Sequence, residues 1–107
     1  MALTDEEIAR VRDLFGDVGP ITTRRMFGGL GIYCDGTIFA LMRSDGAVMI
    51  KGAGDFRRYL EDLGCERWSY TRKDGAATAM PYWALPDALY DNPEAASALA
   101  RAALEHL

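Results

Sequence analysis

Histidine occurs once in this chain, at position 106 of 107. A Ser-His-Asp or Cys-His site needs an imidazole held beside its nucleophile, and chain ends fray. Those chemistries are excluded in practice, no other catalytic set stands out, and the protein reads as non-enzymatic. Cys34 and Cys65 are far apart, form no C-x-x-C and have no histidine beside them. Neither a zinc site nor a redox pair is expected; two small, semi-buried thiols in a reducing compartment are. Gly28-Gly29-Leu30-Gly31 invites comparison with a phosphate loop, but a strand-like run follows where a helix N-terminus would be needed. The cluster reads instead as a tight strand connection. Asp35, Asp45 and Asp74 each precede a glycine and read as turn formers, not as paired acids. No metal or cofactor is implied.

What the strand-like runs do carry is aromatic and basic: Arg24, Arg25, Tyr33, Lys51, Trp68, Tyr70, Arg72, Tyr82 and Trp83. Such side chains are favoured at protein interfaces and can also hold single-stranded nucleic acid, while the bland alternative is core aromatics beside solvated charges. Strand residues alternate faces, so Tyr82 and Trp83 cannot both enter one core. One of them faces another layer or a partner. A second reading is a small-molecule sensor or an unrecognised enzyme with a pocket near Tyr33, Lys51 and Tyr82, where a partly buried lysine stem follows apolar Val48 and Ile50. A third is weak direct DNA binding through Arg24, Arg25, Arg72 and Lys73.

Net charge is −4, which argues against a dedicated nucleic-acid binder. Residues 1–17 and 87–107 each sum to −3, so the middle carries +2. Two acidic helical ends and a mildly basic sheet follow. No stretch approaches the ~20 apolar residues of a membrane span, and the acidic N-terminus lacks the pattern of a signal peptide. A cytoplasmic location is expected.

The elements that must position these side chains can be read in order. Thr4 and Glu7 form a capping box, with Leu3 and Ile8 as its staple, and Ile8, Val11, Leu14 and Phe15 give a helix ending near Gly16. Four strand-like runs follow: Ile21–Phe27, Leu30–Cys34, Thr37–Arg43 and Ala47–Lys51. Asp35-Gly36 predicts a type I′ hairpin and Asp45-Gly46 predicts a second. The third run is apolar at both parities, which predicts a central strand covered on both faces by helices or a second subunit. Phe56, Tyr59, Leu60 and Leu63 predict a short amphipathic helix over 55–63, closed by Gly64. Trp68–Arg72 and Ala77–Leu85 are the last strands, and Pro81 predicts an edge or a bulge. A turn from Pro86 leads to Asn92-Pro93, the cap and first position of a final helix. The expected fold is one α+β domain over residues 1–107. It has a mostly antiparallel sheet of five to six strands, helices mainly on one face, and the order α-β-β-β-β-α-β-β-α.

Thr23-Arg24-Arg25-Met26-Phe27-Gly28-Gly29, Gly31-Ile32-Tyr33, Asp35-Gly36, Phe39-Ala40-Leu41 and the strand ending in Lys51 together resemble the TfoX N-terminal domain family. So do Gly64, Tyr70-Thr71-Arg72-Lys73, Ala79-Met80-Pro81-Tyr82-Trp83 and Asp91-Asn92-Pro93-Glu94. The resemblance covers nearly the whole chain. It implies a fold similar to secretion-chaperone-like domains, homodimerisation, and a co-regulator's role at competence promoters with a cyclic-AMP receptor protein-type transcription factor. The matching positions implied for partner binding are Arg25, Met26, Phe27, Gly28, Gly29, Tyr33, Lys51, Tyr82 and Trp83. The family's full regulators carry a second, C-terminal domain, and a stand-alone copy of the N-terminal domain is expected here.

Overall fold

In the computed structural model, which describes residues 4–26, 29–71 and 73–107, the first helix is built as its sequence dictates. The Glu7 backbone N–H donates to the Thr4 hydroxyl at 3.2 Å, and the Thr4 N–H donates to the Glu7 carboxylate at 3.1 Å. Two donors that a helix start leaves orphaned are thereby satisfied, and three acidic residues sit at the positive end of the dipole. This helix, α1 (Asp5–Leu14), buries Val11 and Leu14, and Phe15 just beyond it is fully buried. Leu3, the expected staple, lies outside the described residues.

The strands are β1 (Ile21–Met26), β2 (Gly29–Cys34), β3 (Thr37–Met42), β4 (Val48–Lys51), β5 (Arg67–Thr71) and β6 (Ala77–Ala84). They form one antiparallel sheet in the order β1-β2-β3-β4-β6-β5. Asp35 (φ 51°) and Gly36 (φ 82°) both take positive φ, as the predicted type I′ turn requires. The second hairpin differs. Only Gly46 is left-handed (φ 88°), the Gly46 N–H bonds the Arg43 carbonyl, and the Arg43 N–H bonds the Ala47 carbonyl. That is a three-residue connection ending in a left-handed glycine. Asp45 supports it by accepting from the Ala47 N–H at 3.0 Å and from Arg43 at 2.7 Å. Those two bonds lower the Asp45 pKa from its ordinary value, the backbone bond contributing most.

Two irregularities shape the sheet. Ile32 pairs with Ala40 but Tyr33 pairs with Ile38, so Phe39 is the extra residue of a bulge. The bulge turns Phe39 into the core, where its ring meets Phe15 edge-on at 5.3 Å. Arg67 pairs with Trp83 while Ser69 pairs with Ala79, so a longer loop of β6 bows out around Pro81. Proline sits where the ladder asks for no N–H, within an interior strand.

The remaining helices are α2 (Phe56–Asp62) and α3 (Pro93–Leu104), with a 3-10 turn at Asp87–Leu89. Asn92 caps α3 by accepting from the Ala95 N–H at 3.2 Å, and Pro93 opens it. The small side chains Ala96, Ala100 and Ala103 let α3 lie close on the sheet. Of the four apolar α2 positions only Phe56 and Leu60 are buried; Tyr59 and Leu63 are about half exposed. A seven-residue helix docks one narrow stripe, and Tyr59 stacks flat on Phe56 instead of entering the core.

All three helices share one core with Leu30, Ile32, Met42, Val48, Ile50, Trp83 and Leu85. They therefore lie on one face of the sheet. Of the coverings expected for β3, helices among the described residues supply one: its helix-side residues are buried, while Ile38 and Leu41 on the other side are half-buried. Their apolar character has no helix to answer it.

Ser97 ties the helical layer together. Its hydroxyl, 1% exposed, donates to the Leu14 carbonyl at 3.1 Å and accepts from the Asp17 N–H at 3.3 Å. Replacing it with alanine strands a carbonyl and an N–H at the end of α1. Ser97→Ala is expected to cost about 1–3 kcal/mol, read as a lower urea midpoint with an unchanged m-value.

Candidate functional site

Register fixes which side chains share the helix-free face, because residues directly opposite in antiparallel strands point the same way. Arg24, Gly31, Leu41 and Met49 form one row across β1 to β4. Thr22, Tyr33 and Ile38 form a neighbouring row, and Lys51 stands beside Tyr82. Trp68 meets Tyr82 edge-on at 6.4 Å, which places it there too. Arg43 spreads over the Trp68 ring at 5.7 Å.

Between these rows the sheet is hollow. A concavity of about 320 Å³ is walled by Met26, Gly29 and Leu41 on one side and by Trp68, Met80 and Tyr82 on the other. Gly29 lines it, and Gly31 lies next to its Leu41 in the same row. A Cβ on Gly29 would stand 2.5 Å from the Met42 carbonyl oxygen, and one on Gly31 would meet the Met26 methyl at 2.8 Å and the Tyr33 ring at 3.0 Å. The lining is mostly methionine, aliphatic and aromatic, with Arg43 and Ser44 as its polar members, a surface able to repack around different apolar groups.

Charge on this face has one sign. The six strands contain no aspartate or glutamate, while Arg24 and Lys51 stand at its margins. Among the described residues neither forms an ion pair; Arg43 is bound to Asp45 at 2.7 Å. The acidic residues of α1 and α3 stand in the opposite layer.

Tyr82 is only 7% exposed, and its phenol is pushed above the ordinary value of 10.0, first by burial and then by the nearby Tyr33. A raised folded pKa contributes stability that is complete below pH 10.0 and is lost as pH climbs through the folded value. Alkaline unfolding is therefore expected to steepen above pH 10.0, and Tyr82→Phe is expected to remove that component in urea melts taken as a function of pH.

The residues singled out from sequence separate by face. Met26, Gly29, Tyr33, Lys51 and Tyr82 gather on the helix-free side, as does Arg24. Of the trio Tyr33, Lys51 and Tyr82, Tyr82 alone lines the concavity. Trp83 points the opposite way and is fully buried under the helices, where the Arg67 guanidinium lies over it at 4.6 Å. Arg25 also belongs to the helix side and pairs with Asp5 at 3.6 Å. Lys73 is exposed near the β5–β6 turn. Phe27, Gly28 and Arg72 lie outside the described residues. Sequence reasoning missed Leu41 and Arg43. Counting outward from the Asp35-Gly36 turn places Leu41 opposite Leu30, on the helix side, but the bulge at Phe39 shifts the pairing by one and sets Leu41 opposite Gly31.

Cys34 and Cys65 are both half-buried, and burial raises the Cys65 thiol from its ordinary value. Among the described residues no three potential ligands gather as a metal would need, and no helix is long and apolar enough to cross a membrane.

Among known families the chain matches the TfoX N-terminal domain over residues 13–107. It is 29% identical over 89 residues to the DNA transformation protein TfoX1 of Aliivibrio fischeri. That alignment takes in 83% of this chain and 42% of the relative, so the chain spans well under half of the longer protein. With the match running from within α1 through α3 and taking in every strand of the sheet, the chain belongs to the TfoX N-terminal domain family.

Proposed function

We propose that this chain is a non-catalytic protein-interaction module of the competence co-regulator type, and that its partner docks on the helix-free sheet face. The carrying observation is that face itself: mostly apolar, hollow and, among the described residues, without a covering helix, with its strand charges positive. Sheets bury their apolar faces against another layer, and here one layer is missing. The Aliivibrio relative is a DNA transformation protein by name, which supports a regulatory setting. At about 320 Å³ the concavity is at the small end of ligand sites, a size that suits one or two anchoring side chains of a protein. Of the nine positions implied by resemblance, Met26, Gly29, Tyr33, Lys51 and Tyr82 are contact or lining residues in this reading. Trp83 is framework.

The test is light scattering of the purified protein, alone and with a cyclic-AMP receptor protein of its host plus cyclic AMP. A mass shift confined to the mixture is expected, and Trp68→Ala is expected to weaken the complex at least about tenfold, the size of a single aromatic hot spot. An unshifted mass, or a shift that ignores both Trp68→Ala and Leu41→Ser, would defeat the proposal. A doubled mass for the protein alone that Leu41→Ser returns to the monomer value would assign the face to a second copy.

A further inference from the structure

We infer that the occupant of the helix-free face is an acidic amphipathic helix of a protein partner; the inference rests on the docking role just proposed and names its chemistry. Three observations carry it. First, the opposite face of the same sheet is covered by helices, and a helix layer is what an apolar sheet face ordinarily takes. Second, the strands offer no carboxylate, and Arg24 and Lys51, the strand cations of this face, form no ion pair among the described residues and stand on β1 and β4 at the margins of the apolar field. They are separated by three strand spacings, roughly 15 Å. That span matches about ten residues of helix at about 1.5 Å each, so carboxylates near the two ends of a three-turn helix reach both. Third, the hollow between Met26, Leu41, Trp68, Met80 and Tyr82 receives a large apolar side chain from the middle of that helix.

Other occupants fit less well. Two copies joined by these faces would bring Arg24 and Lys51 of one copy toward the same residues of the other, while each copy's acidic helices point away. A nucleic acid needs aromatic faces open for stacking, and Tyr82 is 7% exposed at the back of a methionine-lined hollow on a chain of net charge −4.

The experiment uses the full chain and three labelled probes. One is an amphipathic helical peptide of about twenty residues with a leucine-phenylalanine stripe and glutamate flanks. The second is its twin with lysine for every glutamate, and the third is single-stranded oligothymidylate. Fluorescence anisotropy is read at low and at physiological salt. The acidic peptide is expected to bind about tenfold tighter than the basic twin, the preference shrinking with salt. The double variant Arg24→Glu, Lys51→Glu is expected to melt like the parent and to reverse the preference, and Trp68→Ala to weaken both peptides. Equal binding of the twins, a preference for the basic peptide, or binding of the oligonucleotide alone would overturn the inference. So would absence of peptide binding. The partner-dependent mass shift and its loss in Trp68→Ala then decide separately whether the docking role survives.

Discussion

Replacing Trp83 with alanine is expected to lower the unfolding free energy by about 3–5 kcal/mol. A domain of this size has about 5–15 kcal/mol to lose, so the variant stands close to unfolding at ambient temperature. The cost is high because nothing nearby can collapse into the space. The ring is fully buried, Gly52 passes so close that a Cβ there would sit 2.7 Å from it, and Leu60 closes the same side. Arg67 lies over the ring at 4.6 Å and is itself held by a 2.9 Å bond from its Nε to the Met80 carbonyl, across the bulge at Pro81. Arg57 approaches at 6.0 Å. Truncation would empty the hole and leave the Arg67 guanidinium facing it. Trp83→Phe is expected to cost far less, about 1–2 kcal/mol, because the indole Nε1 has no hydrogen-bond partner and its removal relieves a desolvated donor. Urea titrations followed by circular dichroism check both values. A phenylalanine variant as unstable as the alanine variant would show that the Nε1 group is satisfied in solution.

Gly29→Ala is expected to cost about 1–3 kcal/mol and to abolish partner binding in the fraction that remains folded. Its Cβ would stand 2.5 Å from the Met42 carbonyl oxygen and 3.5 Å from the Arg43 Cα, both backbone atoms, so β2 and β3 must part where Leu30 pairs with Met42. The same movement displaces Leu41 and Arg43, one wall of the hollow. Gly31→Ala makes the instructive contrast. Its clashes are with the ends of Met26 and Tyr33, which can swing aside. A smaller loss of stability, below about 1 kcal/mol, is expected with a measurable loss of binding, because Met26, a wall of the hollow, must move aside. Thermal melts and the light-scattering assay together separate the two effects.

The order of the elements and the antiparallel sheet were legible because local signals were strong. Thr4 and Glu7 marked one helix start, Asn92-Pro93 another, and Asp35-Gly36 gave a turn that only positive φ permits. Pro81 pointed to a bulge in what proved an interior strand. The alternation of Tyr82 and Trp83 required opposite faces, but not which of them went inward. That choice follows from Gly52 and Leu60, which make room for the larger ring only on the helix side. The second hairpin was misread because Asp-Gly serves both a two-residue and a three-residue connection. The Arg43–Asp45 pair selects the longer one. Which cover the second face of β3 takes was not legible, because an apolar strand reads the same whether that face meets a helix of its own chain or another molecule. The hollow itself was not legible. It joins residues of β1, β2, β3, β5 and β6, and among them is Gly29, whose neighbours are known only once register is known.

The place of β4 in the sheet has a consequence for the chain while it is being made. β1 through β4 form a meander that can zip up hairpin by hairpin, but the other edge of β4 pairs with β6, and Met49 waits for Ala84, 35 residues later in the chain. At about 5–20 residues per second on the ribosome, that edge stays open for roughly 2–7 s. During the interval the segment Val48-Met49-Ile50 presents unpaired backbone beside a core that still lacks Trp83 and α3, which is the kind of edge on which nascent chains stick to one another. Lys51, the one charge on that strand, is then a guard against mispairing before it becomes part of a finished surface.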